Sequence, residues 1–562
     1  MKKFSISSIV LIVTLVLVGL IHSVDVEASR RQNAATVGRS SVATQKPGAS
    51  IHKSTGGQGI FIIANVNGRQ VCRIATPDEV KQVTNRDPNF PLHLISSPSK
   101  ARAAVTNAIS PQATTGLNII LMGTDQLEGF PDAKKAFVRA ASHWEALIQT
   151  PITIILDVDF GPTAFGTPFG PNVIGSTDTE TLVDSPDTTT GNGGYSNDIR
   201  PALITSGTTQ EAQIYSQLPT GSVPADIGAA TTVVAPSANF RALGLLPAAA
   251  DVAGDYSNGL GLPPAIGFNT LGANPNDNWD FDPSDGITNG KLDFDATVTH
   301  EIGHALGFSS EVGDHALNPG TPVAVTPWDI FRFRSGTTVN TFQAATRILS
   351  TGGDQEFFNG ANDTPVSTGD PNGNGGDGWQ ASHWQDDVQE SFATRRYIGI
   401  MHPVADRGAR YLITNDDLKV LDLIGYTLTT NSQPNDVLSV DDGTAEAGGT
   451  GSSSIVLNRL TPVKYPSTLQ TIRVFIRPVN GQPSPAGTRV RMLAYSAASP
   501  AAFAGTASPR PLVDQNIFLP DPGPNGGFVD LNLPLGPSID SGDWYIGFQL
   551  PGGSNVAVGE DT

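Results

Sequence analysis

One cysteine, Cys72, stands in a chain of 562 residues. A lone thiol excludes an internal disulfide framework, so stability has to come from buried cores and from any bound metal. Charge is also scarce, at 15% of residues, and the basic side chains are the scarcer: 34 Lys and Arg against 53 Asp and Glu, a formal net charge of −19. Phosphate backbones are held by basic patches, so nucleic acid is excluded as a partner class. Past the N-terminus no apolar run is long enough to span a bilayer. Sustained helical patterning is rare, and 60 Gly and 42 Pro predict a protein rich in loops and turns.

The N-terminus is the exception to the missing apolar runs. Met1-Lys2-Lys3 is basic, 9–21 is largely apolar, and Val26-Glu27-Ala28 offers small residues for cleavage. The run is short for a membrane span and fits a secretory signal. The expectation is a signal peptide at 1–28 and a secreted, or cell-surface associated, protein with no stable membrane insertion after cleavage.

The length predicts two to four domains. From 29 to about 55 the chain is polar and reads as disordered. A hairpin follows: strands at 59–66 and 69–74 flank Asn67-Gly68, a type I′ turn pair. Thr76-Pro77 then caps and opens a helix. This unit, within a region spanning 29–112, precedes everything else as a pro-segment would. Next come a strand at 117–122, a helix at 131–149 with an apolar face through Phe137, Ala140, Ala141, Trp144 and Leu147, and a strand at 151–160. That order opens an α+β domain, placed at 113–430. Beyond 431 strand-like runs recur between Pro and Gly turns with no helical pattern, which reads as an all-β sandwich over 431–562.

The chemistry is concentrated in Thr299-His300-Glu301-Ile302-Gly303-His304-Ala305-Leu306-Gly307-Phe308. Residues four apart share one helix face, so His300 and His304 can offer two imidazoles to a single zinc ion. Glu301 lies one residue round the helix, where a general base toward a water belongs. A catalytic zinc takes three protein ligands and keeps one position open. In H-E-x-x-H-x-x-G-x-x-H the third histidine follows the glycine by three residues, but Ser310 stands there in this chain. A hydroxyl is not among the usual zinc ligands. Glu311, Asp314, His315 and the distant His383 remain as candidates. A second-helix carboxylate of the thermolysin kind would have to be Glu311 or Glu356, and neither sits in a helical pattern.

Three segments taken together, 299–308, Ser382-His383-Trp384 and Met401-His402-Pro403, resemble the leishmanolysin branch of the metzincin zinc proteases. In that branch a long insertion separates the zinc helix from a Ser-His-Trp segment, and a Met-x-Pro turn follows. The resemblance spans motifs over roughly 265–426. It implies His300, His304 and His383 as ligands of one catalytic Zn²⁺ and Glu301 as general base. Met401 would form a floor beneath the metal without binding it. It implies a metzincin-like domain, a twisted mixed sheet plus an active-site helix, that hydrolyses protein or peptide substrates. Such substrates pair with an edge strand upstream of the zinc helix, and 265–269 is read as that strand. Leishmanolysin is disulfide-rich and this chain is not, so it would be a distant, bacterial-type secreted relative.

Two further features carry readings of their own. Cys72, on the return strand of the hairpin, is either a small buried residue or a switch whose thiolate closes the open zinc position. Asp280, Asp282 and Asp285 surround a tight turn with Gly286, with Asp293 and Asp295 close behind, and read as a solvated turn or a Ca²⁺ loop. For the whole chain the alternative to a secreted zinc endopeptidase is a non-catalytic extracellular binding or adhesion protein with a relict zinc site. In either case the C-terminal sandwich is a candidate for holding a surface or matrix ligand.

Overall fold

The computed structural model describes residues 51–54, 59–66, 69–95, 116–187, 189–207, 211–272, 275–283, 286–360, 363–369, 375–386, 397–429, 447–450, 455–462, 467–478, 486–497, 510–523, 526–533, 536–539, 541–550 and 556–560. The expected signal peptide, 29–50 of the polar stretch after it, Asn67-Gly68 and Asp285 lie outside them; the end of that stretch, read as disordered, is instead a strand at Ile51–Lys53 that pairs antiparallel with 182–184. The chain is a mixed α/β protein with several sheets. Among the described residues no helix is long and apolar enough to cross a membrane.

Ile51–Lys53 (β1), Ile60–Val66 (β2) and Arg69–Ile74 (β3) come first. Pro77–Thr84 (α1) is capped as its sequence predicts, with Thr76 and Glu79 forming a reciprocal capping box. Leu92–Leu94 (β4), Asn118–Thr124 (β5), Pro131–Leu147 (α2) and Thr153–Gly161 (β6) follow. Then come Val173–Asp178 (β7), Thr181–Asp184 (β8), Thr232–Pro236 (β9) and Ala265–Asn269 (β10). Phe294–Leu306 (α3) carries the two-histidine motif. Ala324–Val325 (β11), Arg332–Phe333 (β12), Glu356–Phe358 (β13), Asp363–Pro365 (β14) and Val404–Ala405 (β15) lead to Asn415–Leu423 (α4). The segment 327–333, which reads as one strand, is a 3-10 turn over Asp329–Phe331 followed by the short β12.

An eight-stranded sheet in the order β15-β3-β2-β7-β10-β6-β5-β4 organises the molecule. Only the pairs β5–β6 and β6–β10 are parallel, and the rest are antiparallel. Here one expectation fails. β10 is not an edge strand, because β6 hydrogen-bonds one side of it and β7 the other. The next strand outward from β10 is β7, and β2 of the N-terminal hairpin pairs with it, Ile60 opposite Asp178 and Ile63 opposite Gly175. β3 then pairs with β15. The hairpin thus fills two interior places of the sheet.

Helix α2 lays its apolar face on this sheet and on α3. Trp144 is fully buried, and its indole Nε1–H donates to Thr299 O at 2.9 Å. A separate apolar cluster lies in the C-terminal part, where two four-stranded antiparallel sheets share Ile476, Val490, Met492, Val529, Trp544 and Phe548. Leu412 belongs to that cluster, and Tyr397 N donates to Asn516 O, so this part packs directly on the segment before α4.

Candidate metal centre

All thirteen residues of α3 are buried, so the helix runs through the interior, and its ends need satisfied charges there. Asp293 is the N-cap and accepts from Ala296 N. Arg410 donates to Asp293 Oδ2 at 2.6 Å and to Asp295 Oδ1 at 3.1 Å, while Arg139 and His143 also reach Asp295. Arg410 above all, with the His143 and Arg139 contacts beside it, holds the Asp295 carboxyl far below the usual carboxylate range despite its burial. Asp293 and Asp295 therefore anchor the helix.

At the other end Gly307 has φ +132°, a region that favours glycine. The turn it makes returns the Phe308 carbonyl to His304 Nδ1 at 2.6 Å. Gly303 has a different reason to lack a side chain: a Cβ there would stand 2.4 Å from Met401 Sδ. Met401, fully buried, packs against the helix between its two histidines.

Three imidazoles converge. His300 Nδ1 faces Ile400 O at 2.7 Å, His304 Nδ1 faces Phe308 O, and His383 Nδ1 faces Gln380 O at 2.9 Å. A carbonyl only accepts, so each Nδ1 carries the proton and each Nε2 keeps its lone pair. The three Nε2 atoms lie 3.1 to 3.2 Å from one another. Burial keeps the rings neutral, pushing His300 down to about 4 and His304 and His383 well below the ordinary histidine value. Three lone pairs aimed at one point repel each other unless a cation sits between them.

Cys72 completes the group. Its Sγ is 3.8 Å from His304 Nε2, and the four ligand atoms of Cys72, His300, His304 and His383 all lie within 4.8 Å of one another. Burial, and then the neighbouring Glu301 charge, push the Cys72 thiol well up in the absence of a metal. The hairpin holds it there by main-chain pairing, Cys72 N donating to Pro403 O at 2.9 Å, just past the Met401 turn. From the adjacent strand Phe61 stacks on His304, ring centroids 3.7 Å apart and 15° from parallel. This donor set suits a buried metal ion.

Glu301 is fully buried, and among the described residues neither carboxylate oxygen has a hydrogen-bond partner. Burial pushes its carboxyl up to about 8, and the Thr177 hydroxyl of β7, nearby but outside hydrogen-bond geometry, offsets this only in part.

The other candidates stay away. Glu311, Asp314 and His315 are outside the cluster. Ser310 Oγ donates to Asp329 Oδ1 at 2.7 Å. In the acidic turn Asp280 accepts from Thr288 N and Oγ1, and Arg510 of the C-terminal part lies 3.8 Å from it. Asp285, the third carboxylate of that turn, lies outside the described residues, and among the described residues Asp280 and Asp282 join no group of metal-ligating side chains. Sequence reasoning did not find the buried Asp329–Arg332 pair, nor Asp417, which accepts from Trp384 Nε1 and Ile400 N, each at 2.8 Å. A buried Trp-Asp dipeptide, Trp328-Asp329, and an isolated Arg in an apolar run were the pair's only traces. Comparison of the chain with protein families, with curated proteins and with solved structures finds no match.

Proposed function

We propose that this chain is a secreted zinc endopeptidase in its latent form, with a metzincin-like catalytic domain at 113–430, an N-terminal pro-segment and a C-terminal β-sandwich that attaches it to substrate or surface. The observation that carries the reading is Glu301: an unpartnered carboxyl, wholly buried, one residue from the first of three converging imidazoles. Leaving such a group unsatisfied costs several kcal/mol or more, and a purely structural metal site has no use for it.

The donor set fits zinc. Ligands at about 2.0 to 2.1 Å in a tetrahedron sit about 3.3 to 3.4 Å apart, and a thiolate about 3.5 to 3.6 Å from an imidazole nitrogen. The imidazole spacings of 3.1 to 3.2 Å match within a few tenths of an ångström, and Cys72 Sγ stands 3.8 Å from His304 Nε2 in a group whose donor atoms span 4.8 Å. Zinc bound there supplies Lewis acidity and brings the pKa of a water to about 7. The protein does the rest. Withdrawal of the hairpin uncovers Glu301, returns its carboxyl toward the ordinary range, and lets Glu301 take a proton from water and give it to the leaving amine. The backbone of β7, released from Ile60–Ala64, pairs with an extended peptide by strand addition. In the latent state the Cys72 thiolate would hold the zinc beside the three histidines, and β2 occupies the peptide's place.

The closure of the donor set by Cys72 favours a second reading, a four-ligand structural site in a non-catalytic adhesion protein. Casein hydrolysis decides between them. Protein cut at a protease site inserted between residues 96 and 115 should hydrolyse casein, lose that activity to a chelator, and lose it with Glu301→Gln. Equal activity of the variant would sink the mechanism.

A further inference from the structure

We propose that Asp329 and Arg332 are positioning residues for His383, a buried ion pair that ties the end of α3 to the segment bearing the third histidine. The inference rests on His383 being a metal ligand. Both side chains are inaccessible, at 0% and 2% exposure, and Arg332 Nε donates to Asp329 Oδ1 at 3.2 Å. On the helix side Asp329 accepts from Ser310 Oγ at 2.7 Å and from Glu311 N at 2.8 Å. Ser310 is the position at which the shorter spacing would put a histidine.

On the other side the guanidinium reaches across the insertion. Arg332 Nη1 donates to Ser367 O at 3.0 Å and Nη2 donates to Ala381 O, two residues before His383. Ser367 in turn grips the histidine's own backbone: its N–H donates to His383 O at 3.0 Å and its Oγ–H to Trp384 O at 2.7 Å. Burying a guanidinium costs several kcal/mol unless every donor finds a fixed acceptor. Here the acceptors are a carboxylate and the carbonyls that frame the His383 loop, with Gln355 Oε1 beside them. A planar fork fixes directions as well as distances, which an apolar contact cannot do. The chain that skips a ligand at Ser310 thus uses that same residue to begin the link that brings in the distant one.

The test is Zn²⁺ affinity of the full-length chain, by competition with a chromophoric chelator, and the d–d spectrum of the Co²⁺ form. Groups that orient metal ligands typically contribute 10- to 100-fold in affinity. Arg332→Gln should weaken Zn²⁺ binding by roughly 10- to 100-fold and alter the Co²⁺ spectrum. Ser310→Ala, a milder change on a half-buried hydroxyl, should weaken it by roughly 10-fold and keeps the question answerable if Arg332→Gln does not fold. In a His383→Ala background neither change should weaken binding further. Unchanged affinity in the single variants, or an equal loss with His383 already gone, overturns the assignment. Unchanged affinity in His383→Ala alone overturns the reading of His383 as a ligand, and the ion pair's role falls with it.

Discussion

Replacing Glu301 by Gln should change how the metal-free protein responds to pH. The Glu301 carboxyl is fully buried and pushed from the ordinary 4.5 up to about 8. In the unfolded chain it ionises near 4.5, so the folded state holds a proton that the unfolded state has released. The stability linked to that proton is complete below pH 4.5 and is lost as pH rises toward 8. At about 1.4 kcal/mol per unit, a shift of this size corresponds to a decline on the order of 5 kcal/mol across that window. The histidines act in the opposite sense. His300, lowered to about 4, contributes stability that is lost as pH falls from 6.5 toward 4. Glu301→Gln removes the first effect and keeps the second. Denaturant unfolding in chelator, followed by tryptophan fluorescence at intervals from pH 5 to 8.5, should show the wild type losing stability relative to the variant as pH rises. Adding Zn²⁺ should flatten the difference, since a cation beside the carboxylate removes the penalty on its charge. Parallel curves in chelator would refute the claim that this carboxyl is held dry and unpartnered.

Three further outcomes are expected. His383→Ala should abolish stoichiometric zinc in the purified protein while His315→Ala keeps it, read by elemental analysis. Cys72→Ala alone should leave most of the latency in place. Ile60, Phe61, Ile62 and Ile63 are each no more than 3% exposed, and each contributes about 1.5 to 3 kcal/mol to the seating of β2. Peptide hydrolysis by the uncut variant should stay far below that of the cut wild type, and equal rates would show that the thiol is the whole lock. Gly303→Ala should lower stability by about 1 to 3 kcal/mol through overpacking against Met401, checked by the shift in denaturant midpoint, and it should disturb the Co²⁺ spectrum.

The elements with strong local signals were legible. Thr76 and Pro77 announce α1, the period of Phe137, Trp144 and Leu147 announces α2, and Gly307 ends α3 where the motif says it should. β7 was not, and it is the strand that matters most for access. Its sequence, Val-Ile-Gly-Ser-Thr-Asp, is buried at all six positions. With both faces covered there is no alternation to read, and its polar residues mimic a loop. The grouping of His383 with the helix histidines was suggested by resemblance to a family and not by spacing. No local pattern encodes a contact across the whole insertion. Cys72 carried still less, since one cysteine has no spacing, and its place beside His304 depends on the register of β3 against β15. Asp329 and Arg332 were invisible for the same reason: a buried ion pair is recognised only once its partners are assembled around it.

The hairpin's place inside the sheet has a consequence for folding. Remove β2 and β3, and β7 and β15 become bare edges facing each other about 14 Å apart, three strand spacings. Their directions are antiparallel, so nothing in the backbone forbids them from closing on one another or on a neighbouring molecule's edge. The N-terminal strands therefore hold the gap open while the rest of the chain consolidates, a mould as well as a plug. In the proposed enzyme, cutting the mould away would leave an arrangement that lasts only as long as unfolding is slow, and a chain that then unfolded would lack the part that set its width.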